Sequence, residues 1–220
     1  MYSWGCNDQL ALGRSGEETI PLKVEGLDHE CIVDVACGDS ISVALTNNGR
    51  VYAWGTFRNN TGIFGYRKEV NTQPTPLLIT ELTHILSISC GSNHCVAVSA
   101  DGKAFSWGVG EQGQLGRKII ERHVYDSSLK PRAINFKPYR LSAKFIKAYC
   151  GSYHTFLVHE SNAVYAFGLN NYGQLGIGES ERESEFEPER VQGLSVEDGI
   201  VEISGGEHHS MVLTAKGNSL

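Results

Sequence analysis

An all-β chain, folded as part of a β-propeller with four-stranded antiparallel blades, is what this 220-residue sequence predicts, and three observations carry the prediction. The first is a pair of alternating motifs. One is an aromatic strand ending in glycine and running into a polar loop: YSWGCNDQLALGR at residues 2–14, FSWGVGEQGQLGR at 105–117 and YAFGLNNYGQLGI at 165–177. The other is centred on a glycine: ACGDSISVALTNNG from Ala36, SCGSNHCVAVSADG from Ser89, YCGSYHTFLVHESN from Tyr149 and SGGEHHSMVLTAKG from Ser204. The second observation is the period. The marker glycines Gly38, Gly91, Gly151 and Gly206 lie 53, 60 and 55 residues apart, a spacing that belongs to stacked or radially arranged units. The third is alternation of apolar with small or polar residues, as in HCVAVSADGKAFSWG, which is the two-residue period of a strand; long amphipathic helices are absent.

Each unit then resolves into four strands. One strand is expected near residues 32–36 or 85–89, just before the marker glycine, and another just after it. Asn-Gly, Asp-Gly or Lys-Gly closes that strand, a hairpin signal because the tight turn needs positive φ. The third strand carries the aromatic-glycine step, with Trp4, Trp54, Trp107 and Phe167 at equivalent positions. The fourth falls near proline-containing stretches such as TPLLI at 75–79. Radial repetition of such units leaves only short strand edges, so the whole chain, 1–220, reads as one partial propeller with repeat lengths of approximately 1–50, 51–103, 104–163 and 164–220. The GQLG tripeptide-and-glycine loops and the turn asparagines lie together on one rim.

Composition narrows the function classes. The net charge is −6, hydrophobic content is 40%, and no apolar run approaches membrane-spanning length, so no membrane partner is expected. The start, MYSWGCNDQ, lacks the regions of a secretory signal, which points to a reducing compartment. Of six cysteines, Cys37, Cys90 and Cys150 occupy one repeat position, and are expected on different units as small buried hydrophobes rather than as disulfide partners. Gly108, Gly110 and Gly113 satisfy a dinucleotide-binding spacing, but QLGRK follows where a helix is required and the loop recurs in other units. Cys90, His94 and Cys95 offer metal-like chemistry, yet strand alternation sends His94 and Cys95 to opposite faces. His94, His154 and His209 share a repeated position, held by Ile41 in the first unit, and read as polar residues closing blade to blade. No Ser-His-Asp set or carboxylate pair stands apart from the repeats. The expectation is a protein without covalent catalysis, cofactor, metal or small-molecule substrate.

One unit departs from its siblings. After Trp54 the GQLG-type loop is replaced by WGTFRNNTGIFG, residues 54–65. Phe57, Ile63 and Phe64 are expected to anchor it, Arg58, Asn59 and Asn60 to offer polar tips, and Gly62 to permit a sharp turn. A second departure is charge: residues 130–147, KPRAINFKPYRLSAKFIK, hold six basic residues and no acid.

The paired motifs CGxxH…VALTxxGxVYxWG and GxxxxGQLG resemble the regulator of chromosome condensation family over essentially the whole chain, and residues 57–64 resemble the β-wedge of its members that exchange guanine nucleotide on the small GTPase Ran. That resemblance implies a chromosome-condensation-regulator type of propeller, a nuclear, chromatin-bound exchange factor, and Ran as partner. It implies that the wedge Phe57, Arg58, Asn59, Asn60, Thr61, Gly62, Ile63 and Phe64 meets the GTPase, joined by the polar residues Asp39, Asn93 and His208. It also implies that a loop on the opposite rim, with Arg140, Lys137 and Lys144, meets histones or nucleosomal DNA. Three departures stand out. Asn93 replaces an expected aspartate, the basic loop is short with no basic N-terminal tail ahead of it, and four repeat lengths stand against about seven blades in the family, so the chain is read as a fragment. The other function class is a non-catalytic propeller scaffold, for example one associated with a ubiquitin ligase, or an inactive fragment.

Overall fold

The alternating pattern forms a row of antiparallel sheets in a computed structural model that describes residues 1–136 and 144–216. Three sheets have four strands each, ordered in sequence from the inside outward. The first blade is Ile32–Cys37, Ile41–Thr46, Val51–Gly55 and Gln73–Leu78; the second is Ile85–Cys90, His94–Ser99, Ala104–Gly108 and Arg132–Ala133; the third is Phe145–Cys150, His154–His159, Val164–Leu169 and Ser184–Arg190. Two-stranded sheets flank them, Tyr2–Ser3 with Leu22–Lys23 before and Ile200–Gly205 with Ser210–Thr214 after. Each four-stranded sheet straddles a sequence repeat, because a repeat counted from its aromatic strand supplies the outer half of one blade and the inner half of the next.

The innermost strands of neighbouring blades pack side by side, and burial is greatest between blades. The second strand of every four-stranded blade is buried along its whole length. One apolar cluster joins Val43, Leu45 and Ala53 of the first blade to Cys95, Ala97 and Trp107 of the second; another joins Val96 and Val98 of the second to Phe145, Leu157 and Phe167 of the third. Trp54, Trp107 and Phe167 pair in register with Ser42, Cys95 and Thr155, the same position of each second strand. Trp4 follows a two-stranded sheet and is exposed.

Two repeated contacts lock blade to blade. A Cβ on Gly38 would lie 2.6 Å from the carbonyl oxygen of Gly91, and one on Gly91 would lie 2.4 Å from that of Gly151, so the marker position admits only glycine. The turns it permits are hydrogen-bonded across blades: Asp39 N donates to Ser92 O (2.8 Å), Ser92 N to Ser152 O (3.1 Å) and Ser152 N to Gly206 O (3.0 Å). Beneath them, His94 Nε2 meets Thr155 Oγ1 of the next blade at 2.8 Å, and His154 Nε2 meets Ser210 Oγ at 2.9 Å. Burial lowers the His94 pKa to about 3 and that of His154 to about 4, with a neighbouring histidine adding to each shift.

One detail corrects the sequence expectations and two add to them. Cys37 is exposed, and Cys90 and Cys150 are half-buried, since each ends an innermost strand and the one bearing Cys37 has no innermost strand before it among the described residues. Cys90 instead sits directly across from buried Cys95, with 3.2 Å between the sulfurs. The second blade also carries a short helix, Val124–Ser128, in a long connection to a fourth strand of only two residues.

Candidate functional site

The departure after Trp54 folds as a separate hairpin, Phe57–Asn59 paired with Gly62–Gly65, projecting from the connection between the third and fourth strands of the first blade. Its base is fixed. Phe57 is fully buried in the cluster shared with Trp107 and Val109, Thr56 donates from N to Ser40 O and from Oγ1 to Asn71 O (2.8 and 2.6 Å), and the Tyr66 hydroxyl donates to Ala53 O at 3.1 Å. Burial pushes the Tyr66 phenol up to about 12, so it stays protonated as a donor. Phe64 is half-buried and stacks on Tyr125 of the short helix, ring centroids 5.2 Å apart. At the tip Gly62 takes φ +119 with nothing near its Cβ direction, a conformation that favours glycine. The Asn59 carboxamide oxygen accepts from both N and Oγ1 of Thr61 (3.1 and 2.8 Å), capping the turn. Arg58, Asn60 and Thr61 are exposed. Ile63, expected as an anchor, is instead 50% exposed; it pairs with Arg58 in the hairpin register, and shares that residue's solvent-facing side.

The polar residues lie on the same rim. Asp39 and Asn93 occupy the turns after Gly38 and Gly91, and Asn93 joins them to the wedge: its Oδ1 accepts from Arg58 N at 2.7 Å, and its Nδ2 donates to Asp39 Oδ2 at 3.3 Å. His208 occupies the corresponding turn beyond Gly206, two blades on. It is exposed, packs edge-on against Tyr172 (centroids 4.8 Å apart), and its Nε2 lies 3.7 Å from Glu207 Oε1. The hydrogen-bonded turns from Asp39 to Gly206 carry all three along one edge. What this edge offers is a rigid protrusion flanked by an exposed carboxylate and an imidazole, with no group arranged for bond making or breaking. Among the described residues no three His, Cys, Asp or Glu side chains gather as a metal cage.

Of the basic run, Lys144 stands at the other end of the blades. Lys144 precedes Phe145–Cys150, whose far end leads into the Gly151 turn on the wedge rim, so about 20 Å of strand separates Lys144 from that rim. Lys144 is exposed and pairs with Glu160 at 3.4 Å; Lys137 and Arg140 lie outside the described residues. Sequence reasoning missed Tyr125, hidden in an irregular connection, and Glu111, whose Oε1 accepts from Asn59 Nδ2 at 3.0 Å. Glu111 stands where the sibling rim loops have Asp8 and Asn171, so nothing in the repeat singled it out.

With this geometry in hand, the family profile described as RCC1-like domain matches residues 1–220. The chain belongs to the RCC1-like family. Among its RCC1-like relatives, the regulator of chromosome condensation of Homo sapiens is 36% identical over 233 residues, covering 100% of this chain and 54% of the relative. The guanine nucleotide exchange factor SRM1 of Saccharomyces cerevisiae is 32% identical over 256 residues, covering 99% of this chain and 51% of the relative. A crystal structure of Prp20p from Saccharomyces cerevisiae, described with its binding properties to Gsp1p and histones, superposes with a TM-score of 0.87 at 34% identity, covering 98% of this chain and 51% of that one. The chain thus spans about half the length of these RCC1-like relatives.

Proposed function

We propose that the protein is a guanine nucleotide exchange factor for the small GTPase Ran, acting in the nucleus in association with chromatin. The observation that carries this reading is the wedge hairpin, anchored by Phe57 and standing on the rim beside Asp39. A relative of 32% identity bears the name guanine nucleotide exchange factor, and a structural neighbour is described by its binding to Gsp1p and to histones. Exchange needs no covalent chemistry. A partner that binds the nucleotide-free GTPase more tightly than the loaded one weakens nucleotide binding by the same factor. A rigid protrusion achieves this by occupying the space of the loops that hold phosphate and Mg²⁺, while Asp39 and His208 grip the flanking surface, Asp39 through charge-assisted hydrogen bonds. On the opposite rim Lys144, with Lys137 and Arg140 in the same basic run, supplies the positive surface for histones or nucleosomal DNA.

The test is release of a fluorescent guanine nucleotide from preloaded Ran in the presence of excess unlabelled nucleotide. Substoichiometric intact protein accelerates release if the reading is right. Release at the spontaneous rate, with protein that is folded, contradicts it and leaves a scaffold that binds without exchange.

A further inference from the structure

The wedge is a hairpin of seven strand residues, and a hairpin that small does not hold its own shape in water. Its base is fixed by Phe57 and Tyr66, but those anchors lie at the blade end and leave the tip free to swing about them. Beyond the stack of Phe64 on Tyr125 along the second strand, two polar side chains from the neighbouring blade close that freedom at the first strand and the turn. Asn93 accepts the Arg58 amide at 2.7 Å on the first strand of the hairpin, and Glu111 accepts the Asn59 carboxamide at 3.0 Å next to the turn. Neither acceptor belongs to the wedge or to its own blade. Asn59 meanwhile caps Thr61 with its other end, so the carboxamide couples the tip turn directly to Glu111. We infer that Glu111, together with Asn93, is a positioning residue: it sets the orientation of the wedge tip from the adjacent rim loop, and so acts on nucleotide release without touching the GTPase chemistry itself. This inference rests on the exchange reading for its consequence but not for its geometry.

The substitution of asparagine at position 93 fits the same device. One carboxamide offers an acceptor to the Arg58 amide and a donor to Asp39; an aspartate there accepts from Arg58 but sets a second carboxylate against Asp39, a like-charge contact. Asparagine bridges the two where aspartate repels one of them.

Glu111 is exposed, and a solvent-facing hydrogen bond contributes little to global stability, so its loss changes where the tip points rather than whether the blade folds. Glu111→Ala in the intact protein is therefore expected to melt like wild type, to lower kcat for nucleotide release from Ran by roughly tenfold, misplacement by an ångström being worth up to about a hundredfold, and to leave KM within about twofold. Glu111→Gln keeps the acceptor oxygen and should restore most of kcat. Hydrogen–deuterium exchange reads the same device without Ran: amides of residues 58–62 should exchange faster in Glu111→Ala, and the Arg58 amide faster still in Asn93→Ala, with Phe57 and Tyr66 unchanged. Wedge amides that exchange at the wild-type rate in both variants overturn the inference. So does a raised KM at unchanged kcat, which makes Glu111 a direct partner contact, or a Glu111→Gln variant as impaired as the alanine. If wild type proves inactive on Ran yet its wedge loosens in both variants, the tether stands and the exchange reading falls.

Discussion

His94 and His154 carry a chemical cost that their neighbours impose. Each ring is buried with Nε2 tied to the next blade and Nδ1 without a partner among the described residues, so protonation would place a charge in an apolar seam; their pKa values fall to about 3 and about 4. In the unfolded chain both titrate near 6.5. Between that pH and the folded values the unfolded state binds up to two more protons, so stability declines as pH falls through the window, by up to roughly 2.7 kcal/mol per pH unit, and is indifferent to these rings above it. Urea midpoints should accordingly be level from pH 7 to 8 and drop from 6.5 towards 4, and His94→Asn should make the drop shallower. A midpoint that holds steady or rises on acidification in wild type contradicts the assignment of these rings as neutral interblade ties. At the same scale, the repeat told which histidines were structural, because three share a position; it could not tell how deeply each is buried. His209, their third sibling, is exposed, since no further blade covers it among the described residues.

Strands and their hairpin turns were legible in the sequence because burial between blades enforces a two-residue period that local composition displays. The wedge was legible as an exception to the repeat, and its division into anchor and tip was only partly so. Phe57 and Ile63 are both apolar, yet register sends Phe57 into the interblade cluster and Ile63 outward beside Arg58; that choice depends on a bulge between Phe57 and Arg58 in the hairpin ladder, which composition does not reveal. The short helix that supplies Tyr125 was missed because five residues are too few to print a helical period. The distinction between anchor and tip has an energetic consequence. Phe57→Ala empties a fully buried site and should destabilise the protein by about 3–5 kcal/mol, whereas Phe64→Ala removes a half-exposed stacking contact and should cost about 1 kcal/mol. Chemical denaturation of the two variants side by side decides it; equal losses would mean that the hairpin base is not where the wedge is held.

Among the described residues the chain is a run of three four-stranded blades between two half-sheets, and the two proposed surfaces lie towards opposite ends of the strands. The wedge, Asp39 and His208 occupy one rim and Lys144 the other, so under the proposed function one molecule would hold a GTPase and an acidic surface without steric conflict. Replacing Lys137, Arg140 and Lys144 by alanine should therefore weaken nucleosome binding and flatten its dependence on salt, because fewer counterions are released, while exchange on free Ran is unchanged; binding and salt slope equal to wild type would reduce the run to a solvated face. The resemblance implied this separation of surfaces, but the tether from Glu111 to the wedge was not legible, since it joins residues 52 positions apart through a blade-to-blade contact that the repeat does not display. Under the proposed exchange function the hairpin, and not the propeller around it, drives nucleotide release. The most direct measurement replaces residues 57–64 with a GQLG-type rim loop, which closes the second and third blades, and follows release of a fluorescent guanine nucleotide from Ran. The variant should remain folded and release nucleotide no faster than Ran alone; release as fast as that driven by wild type would contradict the account.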